Sequence, residues 1–142
     1  MKAIRLIMVL ALSIGILIPL AHAEAPTNPH TPPTGVLTTK IDIEAYVRKE
    51  ALKSGLIGLY ETLRYESAGW QNIQSMVKDP TGPNGKEDSW GICQLHAPSN
   101  PTITMAQAMD VEFCVQYTIS EFEAGRANRW TGYRLFMSGI IQ

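Results

Sequence analysis

The sequence predicts a mainly α domain with a small extended region set between helices. Three observations predict it. Apolar residues recur at helical spacing in segments that begin with cap residues. A block of turn formers, residues 78–86, interrupts those segments. A short apolar stretch with a glycine inside it, residues 89–95, follows the block, and β structure is expected only within residues 80–95.

The N-terminus is set apart from this domain. Lys2 and Arg5 form a small positive region, residues 6–20 are apolar but for Ser13, Gly15 and Pro19, and Ala21-His22-Ala23 has the small-x-small pattern of a cleavage site. Residues 1–23 therefore read as a secretory signal cut after Ala23. The alternative is an uncleaved anchor, but the stretch is short for a span and Pro19 sits near its end. No later segment is long or apolar enough to cross a bilayer. Residues 24–38 form a linker whose Pro26, Pro29, Pro32 and Pro33 lie among Thr, Asn and His, a composition suited to an extended tether. The folding unit is residues 39–142, one domain of roughly 100 residues, which buries a core but gains from packing aids.

Within the domain, Asp42 is a good N-cap, and Ile43, Val47 and Leu52 follow at roughly helical spacing, closed by Lys53-Ser54-Gly55. A second helix is expected over residues 57–65, with Leu56, Leu59, Tyr60 and Leu63 inward; it delivers Glu66-Ser67 at its end, and Gly69 stops it. Residues 78–86 must be a surface excursion, residues 89–95 a buried extended segment, and Pro98 and Pro101 force another loop. Thr104 with Gln107 is a capping-box pattern for a short helix. Asp110 caps a longer helix whose Val111, Cys114, Val115, Thr118, Ile119 and Phe122 form an apolar stripe that ends at Gly125. Trp130, Tyr133, Leu135 and Phe136 complete the fold with aromatic packing.

Charge and cysteine usage narrow the function. The formal charge is −1, and loss of Lys2 and Arg5 with the signal takes it to −3, with no basic run. Nucleic acid is a poor partner for such a surface, so the substrate is expected to be neutral or of mixed charge. Cys93 and Cys114 both lie in the exported part, where oxidation favours their pairing; the alternative is two separate buried thiols. A bridge would close a loop of about 20 residues and contribute about 3 kcal/mol.

Glu66 is the most informative residue for chemistry. It ends an apolar helix, with Tyr65 before it and Trp70 four residues on. A carboxyl against such surface loses solvation, keeps its proton to higher pH and suits a general acid. Taken alone it reads better as a solvated glutamate at a helix end, since most helical glutamates lie on the surface. Gln94, in the apolar stretch, needs partners: its amide would hold the Glu66 carboxyl, a sugar substituent or backbone. Gly91 permits close approach of backbone or substrate. Metal chemistry is disfavoured. His96 is the one histidine in the domain, and Asp79, Asn84, Glu87 and Asp88 lack EF-hand spacing. Ser67 and Ser89 lack a nearby base for a nucleophile's role. No cofactor is called for.

Glu66-Ser67, a turn-rich insert and Ser89-Trp90-Gly91-Ile92-Cys93-Gln94-Leu95 together resemble the lysozyme-like superfamily. The nearest likeness is to soluble lytic transglycosylase-type domains, whose pattern is Glu-Ser followed by Ser-x-Gly-Leu/Ile-x-Gln; animal lysozymes carry Glu-Ser and Tyr-Gly-Ile-x-Gln. The resemblance covers about residues 41–133. It implies an α-rich domain with a cleft, Glu66 as acid and base, Ser67, Ser89 and Gln94 lining the cleft, Trp90 beside it and no cofactor. It also implies peptidoglycan strands as substrate, cut at the β-1,4 bond after N-acetylmuramic acid; the signal makes the protein periplasmic or secreted, with cell-envelope machinery a candidate partner.

Two departures matter. Animal lysozymes have aspartate where Ser89 stands; Asp88 is one residue earlier and Glu87 two. Without a second carboxylate the anhydro-forming transglycosylase route gains, with Asp88 the candidate that would restore hydrolysis. Transglycosylases also often have Tyr-Asn-x-Gly late in the domain, where this chain has Trp130-Thr131-Gly132-Tyr133, with Tyr133 a candidate substrate contact. A catalytically silent glycan-binding or assembly protein on the same fold is the competing reading.

Overall fold

A computed structural model describes Leu37 and residues 39–142. The expected signal and the linker, apart from Leu37, lie outside the described residues. The domain is mainly helical, in the order α1 (Lys40–Ser54), α2 (Leu59–Glu66), β1 (Ser89–Trp90), β2 (Leu95–His96), α3 (Met105–Met109), α4 (Val111–Glu123) and α5 (Thr131–Met137), with three short 3-10 turns.

Helix α1 starts two residues before Asp42. Thr39 is its N-cap, with Oγ1 accepting from the Asp42 N–H at 3.1 Å, so Asp42 sits in the first turn, where a negative charge favours the helix dipole. The buried stripe is Ile43, Val47 and Glu50, whereas Leu52 is 79% exposed. Leu52 is five residues past Val47 and so about 140° round the helix, while Glu50 is on the stripe. Glu50 is paired there with Gln116 Nε2 at 3.0 Å and Lys53 at 3.6 Å. Gly55, at φ 65°, closes the helix as expected.

Helix α2 begins at Leu59, because Gly58 before it takes φ 82° and Ile57 is left exposed. Leu59 and Leu63 are fully buried, and Leu56 and Tyr60 pack against the core from its edge. Helix α5 makes the most extensive helix pairing, along α2. Two glycines admit it: a Cβ on Gly58 would meet Phe136 at 2.5 Å, and one on Gly132 would meet the Thr62 carbonyl at 2.8 Å.

The turn-rich block is a surface excursion, with Asp79 Oδ1 accepting from the Thr81 N–H at 2.9 Å. The β region reaches further than residues 80–95 on both sides. Strands β1 and β2 pair antiparallel, Ser89 with His96 and Trp90 with Leu95, and Gln74 bridges Trp90 from the other side. In the turn between the strands Gly91 has φ 77°, and a Cβ there would lie 1.9 Å from the Ala108 carbonyl, so the close approach it permits is that of backbone at α3.

Thr104 and Gln107 form the capping box of α3, and Asp110 Oδ1 caps α4 through the Phe113 N–H at 2.9 Å. The α4 stripe is buried as its spacing predicts, and Glu121 is buried beside it. Cys93 and Cys114 are fully buried and joined as a disulfide, with Cα atoms 5.9 Å apart, which ties the turn between β1 and β2 to α4. Trp130 Nε1 donates to the Cys93 carbonyl at 2.9 Å and fixes the same turn from the α5 side. Among the described residues no helix is long and apolar enough to cross a membrane.

Candidate active site

Helix α2, the β1–β2 ribbon and the start of α5 enclose a cleft of about 720 Å³. Glu66, the last residue of α2, lies in it. Gly132, in the first turn of α5, donates its N–H to Glu66 Oε1 at 2.8 Å, which fixes the carboxyl's orientation and leaves Oε2 as its other oxygen. Burial is the largest influence on this group and pushes its pKa above the ordinary glutamate value. The Gly132 amide, the Arg134 charge and the Thr131 amide pull the other way without cancelling it, and the Glu87 carboxylate adds to the upward push.

Of the residues singled out in the sequence, Glu66, Ser67, Ser89 and Gln94 meet in this cleft. Ser67 is 2% exposed, and its Oγ accepts from the Trp70 N–H at 2.8 Å, so it shapes the turn after α2. Ser89 is likewise buried. Gln94 takes φ 47°, and its amide donates to the Gly91 carbonyl at 2.8 Å and the Ile73 carbonyl at 3.3 Å. Its amide is thus held by backbone, and it makes no hydrogen bond to Glu66.

Four expectations are corrected. Trp90 does not line the cleft: successive residues of a strand face opposite sides, so Trp90 turns away from Ser89 toward Leu95 and Ile103. Asp88 shares that far side and accepts from Trp90 Nε1 at 2.6 Å. Tyr133 packs edge-on against Phe122, centroids 5.1 Å apart, and is absent from the cleft. Trp70 leans on Tyr60 at 5.3 Å in a neighbouring groove, and the aromatic residues of the cleft are Tyr65 and Trp130.

The same alternation brings in a carboxylate that the sequence reading named but set behind Asp88. Glu87, two residues before Ser89, faces the cleft and accepts from Ser75 Oγ at 3.1 Å. The carboxylate near Glu66 is therefore Glu87. Gln71, Gln74, His96, Asn100 and Arg129 also line the cleft. Arg129 is held at its edge by Glu121, by Asn100 Oδ1 at 3.0 Å and by Tyr117. Glu121, bound also by Arg126, has its pKa pulled down to about 2.

Chemically, the arrangement offers a desolvated carboxyl whose pKa is raised, a second carboxylate lining the same cleft, and amide and hydroxyl groups around them. Among the described residues no three His, Cys, Asp or Glu side chains gather as ligands for a metal ion. No family model matches the chain, and neither a curated protein nor a solved structure matches it.

Proposed function

We propose that this protein is an exported, lysozyme-like glycosidase that cleaves peptidoglycan at the β-1,4 bond after N-acetylmuramic acid, with Glu66 as the acid. The observation that carries this reading is the state of Glu66, desolvated, oriented by the Gly132 N–H and open to a cleft. A general acid for a glycosidic oxygen needs a held proton and a fixed direction. The cleft's Gln71, Gln74, Ser75 and Gln94 suit the hydrogen-bonding groups of a sugar chain, and Ile73, Met76 and Val77 add apolar surface for its C–H faces. The disulfide fits an oxidising compartment.

Ser89 in place of a carboxylate favours the anhydro-forming route, in which the C6 hydroxyl of the sugar attacks its own anomeric carbon. Glu87 favours a second reading. A second carboxylate lining the same cleft as Glu66 would serve as a base for water, and the product would then be a hydrolysed reducing end.

The test is digestion of purified sacculi by the wild type and Glu66→Gln, followed by mass spectrometry of soluble fragments. Cleavage by the wild type and at least about a 100-fold loss in the variant are expected. Retention of glycan by an inactive wild type would replace the enzyme reading with the binding one.

A further inference from the structure

We propose that Arg134 is the positioning residue of the site: its guanidinium fastens the first turn of α5, which aims the Gly132 amide at Glu66, and keeps its own charge free to act on that carboxyl. The proposal rests on the glycosidase reading above and names the group that governs how Glu66 holds and releases its proton. Arg134 stands one turn into α5, and a helical side chain leans back over the turn before it. Its Nη2 donates to Thr131 Oγ1 at 2.8 Å, and its Nη1 donates to the Asn128 carbonyl at 2.6 Å. Thr131 and Gly132 are the residues whose N–H groups act on Glu66, and Asn128 belongs to the 3-10 turn Ala127–Arg129. Trp130 between them is extended, which breaks the helix there, and the guanidinium spans the break.

Its electrostatics set Arg134 apart. Arg48, Arg64, Arg126 and Arg129 each pair with a glutamate. Arg134 is the one arginine among the described residues without such an ion pair, and both of its side-chain hydrogen bonds go to uncharged oxygens. Its charge is therefore not neutralised at close range, and it draws the Glu66 pKa down against the upward push of burial. Among the other ionisable groups on the cleft wall, Glu87 pushes the opposite way and Arg129 is tied to Glu121; His96 and Tyr65 also line the wall. A buried acid with no cation near it holds its proton too tightly to pass it to a leaving oxygen, and general acids work best with a pKa near the working pH. The same charge steadies the carboxylate that remains once the proton has gone.

The experiment uses the full chain with carbon-13 in its glutamate carboxyls, the Glu66 resonance being the one that Glu66→Gln removes. Its titration is followed by NMR, and digestion of sacculi is followed against pH. Arg134→Gln removes the charge at an exposed position, and Arg134→Lys keeps the charge but loses the two-pronged grip. In Arg134→Gln the Glu66 midpoint and the alkaline limb of digestion are both expected to move to higher pH, and the rate at the optimum to fall about tenfold. In Arg134→Lys the midpoint and the limb should stay at the wild-type position, with the rate within about threefold of the wild type. A Glu66 midpoint unmoved in Arg134→Gln overturns the proposal, and a lowered Tm beside it would make Arg134 a structural residue only. A midpoint that moves as far in Arg134→Lys as in Arg134→Gln also overturns it, since the charge would then not be the cause. The titration needs no substrate, so it separates the two readings: a midpoint that rises in Arg134→Gln while the wild type digests nothing supports the link from Arg134 to Glu66 and removes the glycosidase reading instead.

Discussion

The Gly132 N–H donates to Glu66 Oε1 at 2.8 Å, joining the first turn of α5 to the last residue of α2. The contact depends on the missing side chain. Gly132 is buried, and a Cβ there would press on the Thr62 carbonyl at 2.8 Å, on its Cα at 3.0 Å and on Tyr65 Cβ at 3.2 Å. We predict that Gly132→Ala pushes α5 away from α2, lengthens the hydrogen bond and costs about 1–3 kcal/mol of stability. Cleavage should fall about tenfold or more in a protein still folded at room temperature, as the acid loses its aim. Thermal unfolding and sacculus digestion read the two effects; wild-type values in both would show that α5 adjusts freely.

Glu66 carries a stability cost as well as its proposed role. Burial raises its pKa, so the folded state holds the proton more tightly than the unfolded chain does. Stability from this group is present at low pH and is lost as pH rises from the ordinary glutamate range through the raised value. Glu66→Gln is therefore expected to keep the fold at neutral pH and to raise Tm by about 2–5 °C, even as it abolishes cleavage. In the wild type, cleavage should decline on the alkaline side as Glu66 ionises, at a pH above that of an unperturbed carboxyl. A lowered Tm in the variant would mean that the carboxylate is stabilised in place rather than strained.

Glu121 behaves in the opposite sense. Arg126, with Arg129 beside it, holds its carboxyl down to about 2 against an ordinary value of 4.5, although its side chain is 7% exposed. Its stabilisation is complete above the unfolded value and is lost as pH falls from about 4.5 toward about 2. We predict that Glu121→Gln lowers stability at pH 7 by roughly 2 kcal/mol, a figure discounted for the solvent around Arg126, and flattens the acid limb of a Tm-versus-pH curve. Since Glu121 holds Arg129 at the cleft edge, KM should rise more than kcat falls.

Much of the fold was legible because its signals are local. Asp110 and the stripe from Val111 to Phe122 announce α4, and Thr104 with Gln107 announces α3. Asp42 misled because a better cap, Thr39, stands three residues before it, and Leu52 misled because apolarity outweighed the helical angle that selects Glu50. In the site, Glu66 was legible as a carboxylate ending an apolar helix. Asp88 and Glu87 were distinguishable only once the extended backbone was known to reach back from β1 to Lys86, which bridges Lys78. Alternation then sends Glu87 with Ser89 into the cleft and Asp88 with Trp90 away from it. The Glu121–Arg129 contact crosses the end of α4 and a 3-10 turn, with no periodic spacing to reveal it.

If the protein is the proposed glycosidase, its product chemistry turns on Glu87. Under the proposed reading Ser89 supplies no carboxylate, and with serine alone the C6 hydroxyl of the muramic residue would be the nearest nucleophile, placed by the substrate itself. Glu87 changes the comparison, because it lies in the cleft, is held by Ser75 Oγ at 3.1 Å, and is close enough to push the Glu66 pKa upward. As a base it would take a proton from water as the water oxygen attacks the anomeric carbon, while Glu66 protonates the departing oxygen. Digestion in oxygen-18 water separates the routes. If Glu87 is the base, the label enters the new reducing ends, and Glu87→Gln removes labelled ends by about 100-fold, whereas Asp88→Asn, on the far side of the ribbon, leaves them unchanged. If the C6 hydroxyl is the nucleophile, unlabelled 1,6-anhydro ends dominate, and Glu87→Gln leaves their yield within about a factor of three, consistent with loss of a neighbouring charge alone.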